Sequence, residues 1–345
     1  MKENDTSADY GSPAGRAQPS AQAARAEILR DPGIPFAEFV TIIALLMALN
    51  ALAIDVMLPA LPAIGEALDI QEENNRQTVL LLYLVGFGGG QLFFGPIADS
   101  LGRRKVLIGG LVLYSLASIA AIITNDLTQF LAARVLQGIG CAAARVTALS
   151  IVRDCFTGRR MAKVMSLVMM VFMAVPIIAP SVGQAILFVA GWHWIFTMLL
   201  AAGVGMLVWT WMRLPETLAP ERRRPMVMSN IAGAYWKALT TRVTLGYTIG
   251  LSFIFGGLFA FLAMSQQIFV DVFGLGAYFP VVFAGIAIAM AISSFMNSRL
   301  VEAIGMRRLS HTAALIFTGL GVLLAAVAAL GFESLWLFLI LTTLI

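Results

Sequence analysis

The sequence predicts an all-α membrane protein built from two related halves, and three observations lead to this fold class. Hydrophobic residues make up 59% of the 345-residue chain and charged residues only 12%, whereas soluble domains carry about 25% charged residues. Apolar runs of about 20 residues, the length that crosses a bilayer, recur along the chain. A short motif of acid, glycine and arginine occurs once in each half, and such internal repeats are typical of transporters that rock around a central site.

Nine apolar runs are long enough to be membrane-spanning helices. We place them near residues 36–61, 77–98, 105–124, 128–151, 162–189, 193–213, 243–269, 278–298 and 309–330. A tenth run opens near Leu335 and reaches the last residue, Ile345, after about half a crossing. A helix that ended in mid-bilayer would leave its last carbonyls unsatisfied, so we expect the chain to be a fragment with a truncated C-terminal half.

The positions of lysine and arginine predict the orientation. All but three of the 23 lie before the first span or in alternate loops after it, the exceptions being Arg76, Arg134 and Arg145. Because basic residues concentrate in cytoplasmic loops, the N-terminus is expected to be cytoplasmic. The predicted organisation is a disordered cytoplasmic tail (1–35), an N-terminal six-helix half (36–213), a cytoplasmic linker (214–242) and a partial C-terminal half (243–345) with helices 7–9 and the start of helix 10.

Two charged residues lie inside predicted spans at similar depth. Asp55 in the first span and Arg134 in the fourth both fall roughly 10 to 12 Å below the same surface, from the rise of 1.5 Å per residue. Charged residues inside a bilayer usually mark a functional site. A buried carboxylate beside a guanidinium can exchange a proton as access to water changes, so we expect the two to face a shared cavity and to couple proton movement. A fixed ion pair that only joins two helices is the alternative.

The repeated motif follows the second span and again the eighth. Residues 95–105 are Gly-Pro-Ile-Ala-Asp-Ser-Leu-Gly-Arg-Arg-Lys, and residues 298–308 are Ser-Arg-Leu-Val-Glu-Ala-Ile-Gly-Met-Arg-Arg. Glycine permits a tight reversal, and the acid is expected to face a helix N-terminus, where the dipole favours negative charge. Making and breaking that contact would form a gate, whereas a turn that only sets topology is the alternative. The candidate cytoplasmic gate residues are Gly95, Asp99, Gly102, Arg103, Arg104, Glu302, Gly305 and Arg307.

The fifth span contains the sequence Pro-Ile-Ile-Ala-Pro-Ser-Val-Gly-Gln at 176–184. Pro180 removes a backbone donor and predicts a kink, and small residues let a neighbouring helix come close. For Pro176, Pro180 and Gly183 we weigh a kink that seals a proton leak against plain packing. The glycines at 86–90 are interpreted as close helix packing, because no strand precedes them as a phosphate loop requires.

A few polar or adaptable side chains inside the spans are candidates for a substrate cavity. The four polar ones are equally well explained as hydrogen bonds between helices. Met173 belongs to a series of methionines spaced four residues apart, which suits either an adaptable pocket or an ordinary core. The candidates are Asn50, Tyr83, Gln137, Met173 and Gln267.

These motifs resemble signatures of the major facilitator superfamily. Residues 95–105 resemble its signature loop, and the sequence Arg-Val-Leu-Gln-Gly-Ile-Gly from Arg134 resembles the arginine motif of its fourth helix. The 176–184 sequence is similar to the fifth-helix motif of drug/proton antiporters, although Ala179 and Gln184 stand where that motif usually has glycine. The resemblance, which covers residues 36–345, narrows to the Bcr/CflA (bicyclomycin/chloramphenicol resistance) subfamily on the sequences at 55–62, 153–154, 191–196, 214–217 and 297–299.

The resemblance implies the major facilitator fold of two six-helix halves, of which this chain would hold about 9.5 of 12 helices. It implies a proton-coupled antiporter, not an enzyme, that exports small lipophilic drugs or metabolites across a bacterial inner membrane by alternating access. In the family the first-helix acid is implicated in protonation, which matches Asp55, and the fourth-helix cavity arginine matches Arg134. The gate acid engages the eleventh helix, which is absent here, so Asp99 is expected to lack a partner.

We expect no cofactor or metal, with the proton gradient as the energy source. The expected partners are a small-molecule drug or metabolite, protons and the lipid bilayer, without nucleic acid, and the protein is expected to be a monomer. Two other functions remain open on the sequence: a facilitator-type metabolite importer or symporter, and a truncated membrane protein that does not transport.

Overall fold

The computed structural model describes residues 32–223, 225–331 and 334–344. The side chains at positions 73, 230, 298, 299, 301–303, 306 and 307 are not among the described parts. No strand occurs in the described residues. The predicted disordered tail therefore falls almost wholly outside the described residues. The helices before the linker are α1 (Phe36–Asp55), α2 (Leu61–Ala67), α3 (Thr78–Leu101), α4 (Arg103–Ile123), α5 (Leu127–Cys155), α6 (Gly158–Val189) and α7 (His193–Arg213).

The linker contains one helix and is followed by four more. These are α8 (Met228–Thr240), α9 (Arg242–Gln266), α10 (Phe279–Ile304), α11 (Met306–Ala329) and α12 (Leu335–Leu344). A π-helical stretch, Gln267–Val272, continues α9. Short 3-10 helices lie at Leu58–Ala60, Glu73–Gln77, Pro220–Arg222 and Gly276–Tyr278.

Within the described residues, nine helical stretches are long and apolar enough to cross a membrane, which confirms the nine predicted spans. They are Phe36–Ala67, Asn74–Leu101, Arg103–Ile123, Leu127–Cys155, Gly158–Val189, His193–Arg213, Arg242–Val272, Gly276–Asn297 and Arg308–Ala329. Large apolar side chains such as Phe188 and Leu315 are 72% and 74% exposed. Such an apolar exterior suits lipid and not water.

The first span is longer than predicted and is interrupted. The prediction ended it at residue 61, but the helical stretch continues to Ala67. Pro59 and Pro62 lie at the beginnings of the two short helices that follow α1. Proline is tolerated at a helix start, where its missing N–H has no partner to lose. The helix therefore resumes, after a break at Val56 and Met57, with proline only at positions that tolerate it.

Glycines bring α3, α4 and α5 into close contact. A Cβ built on Gly86 of α3 would overlap the carbonyl oxygen of Val135, and one on Gly138 of α5 would overlap that of Tyr83. On the other side of α5, a Cβ on Gly140 would lie 2.6 Å from the carbonyl oxygen of Gly110 in α4. The interpretation of the α3 glycines as packing residues is therefore confirmed at Gly86, where only hydrogen fits.

The helix α8 was not predicted within the linker. Its apolar residues are spaced three or four apart, the pattern of an amphipathic helix, and they are Met228, Ile231, Ala232, Tyr235, Trp236 and Leu239. Trp236 and Leu239 are 70% and 55% exposed. The helical spacing of these residues is present in the sequence, but the prolines and arginines at the start of the linker favoured an irregular segment.

Candidate functional site

The candidate site begins at the break in the first span. Asp55 is the last residue of α1 and only 2% exposed. The chain then makes a turn through Val56 and Met57 before the 3-10 helix Leu58–Ala60. Since the spanning stretch runs from Phe36 to Ala67, this carboxylate lies inside a membrane span at a point where the helix is interrupted.

Gly183 of α6 packs directly against this break. A Cβ built on Gly183 would overlap the carbonyl oxygen of Val56 and lie 3.1 Å from Cγ of Pro59. Pro176 and Pro180 lie inside α6, which continues past both to Val189. The close approach expected of the small residues in this motif is therefore made with α1, next to Asp55.

The guanidinium of Arg134 is fully buried and ties three helices together. Its Nη2 donates to the carbonyl oxygen of Ala53 in α1 at 3.2 Å, and its Nε donates to that of Val79 in α3 at 3.4 Å. Its Nη1 donates to Oε1 of Gln137 within α5. The guanidinium carbon also lies 4.5 Å from the centre of the Tyr83 ring, a cation–π distance.

The alternative that Asp55 and Arg134 form a fixed ion pair is wrong for this structure. None of the ion pairs formed among the described residues includes either side chain. Arg134 satisfies its donors with backbone carbonyls and an amide instead, and the carbonyl it holds in α1 lies only two residues before Asp55. Its position therefore bears on Asp55 through the end of α1 and not through a direct contact.

Three of the candidate cavity residues form buried hydrogen bonds that join helices. Tyr83 donates its hydroxyl to Oδ1 of Asn50 at 3.1 Å, joining α3 to α1. Gln137 donates from Nε2 to Oγ of Ser118 in α4 at 2.8 Å. These contacts favour the role of joining helices. Met173 is half-buried on α6.

Gln267 lies at a contact between the helices before and after the linker. Its Oε1 accepts from Nε2 of Gln77 at 2.6 Å, and its own Nε2 donates to Oδ1 of Asn74 at 2.9 Å. Gln77 immediately precedes α3, so this contact lies at the end of the bundle opposite the turn that follows α3. We call it the glutamine contact.

The α3–α4 turn consists of one residue, Gly102, with φ +101°. A positive φ of this kind strongly favours glycine. Beside it, Nη1 of Arg103 donates to Oδ1 of Asp99 at 2.5 Å, and Nε of Arg103 donates to Oδ2 of Asp154 at 2.9 Å. The expectation that Asp99 lacks a partner is therefore wrong, because the arginine of its own motif binds it and joins it to the end of α5.

The acid at the N-terminus of α4 is Glu216, and not Asp99 as expected. Oε1 of Glu216 accepts the backbone N–H of Arg103 at 2.9 Å, and Oε2 accepts that of Arg104 at 3.3 Å. Arg104 in turn donates from Nη2 to the carbonyl oxygen of Trp211 at 2.5 Å. Asp99 lies two residues before the end of α3, and its carboxylate binds the side chain of Arg103, whereas Glu216 accepts the first backbone N–H groups of α4.

The sequence reasoning missed Asp154 and Glu216. Both stand in sequences that we noted only as marks of a subfamily, at 153–154 and 214–217. A signal for Glu216 existed, since an acid shortly after a span can cap a neighbouring helix whose first N–H groups lack partners.

The candidate gate residue Gly95 makes no close contact that a side chain would disturb.

The second copy of the motif forms the same kind of turn. Gly305 has φ +85° and is the single residue between α10 and α11, as Gly102 is between α3 and α4. The side chains of Glu302 and Arg307 lie outside the described residues. The repeat seen in the sequence is thus present in the backbone, at the corresponding point of each half.

The sequence profile described as Major Facilitator Superfamily matches residues 43–345. The chain belongs to the Major Facilitator Superfamily. The protein is therefore a multi-pass membrane transporter and not an enzyme.

Relatives within the Major Facilitator Superfamily confirm the resemblance to the Bcr/CflA group. The bicyclomycin resistance protein homolog of Haemophilus influenzae is 31% identical over 297 residues, which cover 85% of this chain and 74% of that protein. The chloramphenicol resistance protein of Pseudomonas aeruginosa is 32% identical, over 84% of this chain and 66% of that protein. Multidrug resistance protein D of Escherichia coli is 30% identical, over 68% of this chain and 58% of that protein. The matched stretch thus falls short of two thirds of the length of some relatives.

Solved superfamily structures confirm the fold. A bacterial homolog of the human lysosomal transporter Spinster, inward-facing and unoccupied, matches with a TM-score of 0.67 at 17% identity, over 89% of this chain and 72% of that one. The xylose transporter XylE from E. coli, in a partially occluded inward-open conformation, matches with a TM-score of 0.66 at 13% identity, over 89% and 80%. At these identities the likeness shows the fold alone.

Among the described residues, no group of three or more histidine, cysteine, aspartate or glutamate side chains could hold a metal ion. Glu38, near the start of α1, forms a different kind of contact. It accepts two bonds from Arg213 at the end of α7, at 2.7 and 2.8 Å, and one from Nε1 of Trp209 at 3.1 Å. These bonds fasten the beginning of α1 to α7.

Proposed function

We propose that this protein is a proton-coupled antiporter that exports small lipophilic drugs or metabolites by alternating access. The observation that carries the proposal is the buried carboxylate of Asp55 at a break inside a membrane span. Ionisable groups at such depth are costly and mark proton or substrate pathways. A break in the span gives the chain a place to move locally, which a continuous helix lacks.

Relatives named for resistance to bicyclomycin, chloramphenicol and several drugs support export as the direction. Each of these names refers to resistance to a drug or to several drugs, and none refers to a nutrient. We therefore take antibiotics of this kind, or metabolites of similar size and polarity, as the substrates. The expected location is a bacterial inner membrane with the N-terminus in the cytoplasm, as the basic loops predict.

Asp55 is the proposed proton carrier. An ionised carboxylate is costly to remove from water, so access of water to the break decides whether it holds a proton. Arg134 donates to the carbonyl oxygen of Ala53, two residues earlier, and Gly183 packs against Val56, one residue later. A shift of α5 or α6 during transport therefore moves the end of α1 and changes the surroundings of Asp55.

The gate proposed on the cytoplasmic side consists of Asp99, Arg103 and Arg104 around Gly102, together with Asp154 and Glu216. Its counterpart in the second half is proposed to be Glu302, Gly305 and Arg307. In this scheme residues 36–213 and 243–345 move as two units joined by the linker 214–242. The hydrogen bonds of Glu216 tie the start of that linker to the first gate turn.

Drug resistance in a bacterial host that lacks its own exporters tests the proposal. Expression of the full chain should raise the inhibitory concentrations of chloramphenicol and bicyclomycin, and Asp55→Asn should return them to those of the empty vector at equal expression. The control is Asp69→Asn, the same change at an exposed acid with φ +53°, which asparagine tolerates. In everted vesicles, adding chloramphenicol should discharge the pH gradient with the unmodified chain only. Full proton-dependent export by Asp55→Asn would refute the role of Asp55, and uptake in place of export would refute the direction.

A further inference from the structure

A second arginine, Arg145, lies inside the α5 span and has no part in the site described so far. It follows Arg134 by 11 residues, which is about three helical turns, so both project from the same face of α5 about 16 Å apart along the axis. Arg145 is half-buried. Placing an arginine within a membrane span costs free energy, and such residues usually mark a functional site.

The surroundings of Arg145 are aromatic. Its guanidinium carbon lies 5.7 Å from the centre of the Phe87 ring in α3 and 6.0 Å from that of Phe172 in α6. The titratable groups that act most on its charge are Cys141 and Tyr83, and neither is a carboxylate. In the described part of the chain no ion pair includes Arg145. Its positive charge is thus bracketed by two rings and lacks an anionic partner there.

The face of α5 that carries Arg145 points away from α4 and α7. The opposite face packs against α4, where a Cβ on Gly110 would overlap that of Ala143, and α4 packs in turn against α7. Arg145 instead lies between α3 and α6, and α6 contacts α10 beyond the linker. The guanidinium therefore faces the side of the N-terminal helices that meets the C-terminal helices.

We propose that Arg145, Phe87 and Phe172 form a binding subsite for an organic anion with a flat apolar body, such as an aromatic carboxylate. The planar guanidinium matches a carboxylate with two parallel hydrogen bonds, and the two phenyl rings offer apolar contact to an aromatic ring beside it. This inference rests on the proposed function, because it names a substrate class for the same transporter. It adds anions to the uncharged antibiotics bicyclomycin and chloramphenicol, after which two of the relatives are named.

Equilibrium binding to the full chain tests the subsite without a proton gradient. The probes are radiolabelled 2-naphthoate and its uncharged counterpart 2-naphthylmethanol, measured by scintillation proximity on purified protein. The unmodified chain should bind 2-naphthoate at least tenfold more tightly than 2-naphthylmethanol, a difference of about 1.4 kcal/mol. Arg145→Gln should abolish the preference, and Arg145→Lys should keep part of it because a point charge remains.

The matched control is Arg153→Gln, the same charge removal at an exposed position of the same helix, which should leave the preference unchanged. An equal preference in Arg145→Gln, or no preference in the unmodified chain, would overturn the subsite. If Arg145→Gln does not elute as a folded protein, Arg145→Lys decides: a reduced preference supports the subsite, and an unchanged preference overturns it. Chloramphenicol resistance is independent of these outcomes, so failure of the subsite and failure of the proposed export are distinguished.

Discussion

Glu216, in the segment after α7, accepts a hydrogen bond of 2.9 Å from the backbone N–H of Arg103, the first residue of α4. Its other oxygen accepts the next backbone N–H at 3.3 Å. The first N–H groups of a helix lack partners within the helix, and the helix dipole favours a negative charge there. One carboxylate therefore caps α4 and fastens the start of the linker to the turn at Gly102.

Replacing Glu216 by alanine should destabilise this end of the protein. Loss of a helix cap lowers the free energy of unfolding by about 0.5–2 kcal/mol, so Glu216→Ala should unfold at lower SDS fraction in mixed micelles. Glu221→Ala, at an exposed acid in the same segment, should change the midpoint little. Equal midpoints for the two variants would show that the cap contributes nothing to stability.

Two glycines of α3 should respond oppositely to the same change. A Cβ on Gly86 would overlap the carbonyl oxygen of Val135, whereas one on Gly88 meets nothing within 4 Å. Gly86→Ala should force α3 away from α5 and destabilise the protein by about 1–3 kcal/mol. Gly88→Ala should be neutral or stabilising by up to about 1 kcal/mol, since alanine is the better helix former. The SDS midpoint of each variant checks this, and a reversed order would contradict the packing of α3 on α5.

Arg134→Lys should impair transport although the charge is kept. The guanidinium donates to Ala53 and Val79 on two other helices and to Gln137 on its own. A lysine ammonium lacks the planar fork that makes these bonds together. We expect Arg134→Lys to lower chloramphenicol resistance to near the empty-vector level with the protein still present in the membrane. Resistance equal to that of the unmodified chain would show that charge alone suffices.

The spans and the repeated turn could be predicted because they depend on local sequence. Hydrophobic length fixes a span, and Gly102 and Gly305 occupy the same place in two copies of one motif. The partner of a buried polar group could not be predicted in the same way. Depth along the chain placed Asp55 and Arg134 at one level, but the side on which α5 meets α1 decides what Arg134 reaches. It reaches the backbone of Ala53 instead.

The same limit applies to the turn between α3 and α4. Asp99 and Arg103 are four residues apart, yet they lie on either side of a turn, so their contact depends on the reversal at Gly102. Asp154 and Glu216 come from distant parts of the chain, and only the packing of α5 and the linker against α4 brings them to Arg103. Local patterns identified the turn, and tertiary packing selected its partners.

The glutamine contact should have to open for transport. Gln77 donates to Gln267 at 2.6 Å and Gln267 donates to Asn74 at 2.9 Å, which joins the helices on the two sides of the linker at the end away from Gly102. Alternating access requires each end of the bundle to separate in turn around a central site. Gln77→Cys combined with Gln267→Cys, linked by a short bifunctional methanethiosulfonate, should therefore lose chloramphenicol export from vesicles and regain it on reduction.

Each single cysteine variant treated with the same reagent should keep its export, and the native Cys141 and Cys155 are buried away from the reagent. Export that persists after complete linkage would show that this contact stays closed throughout the cycle, because a covalent bridge of that length prevents the two sets of helices from parting at that end.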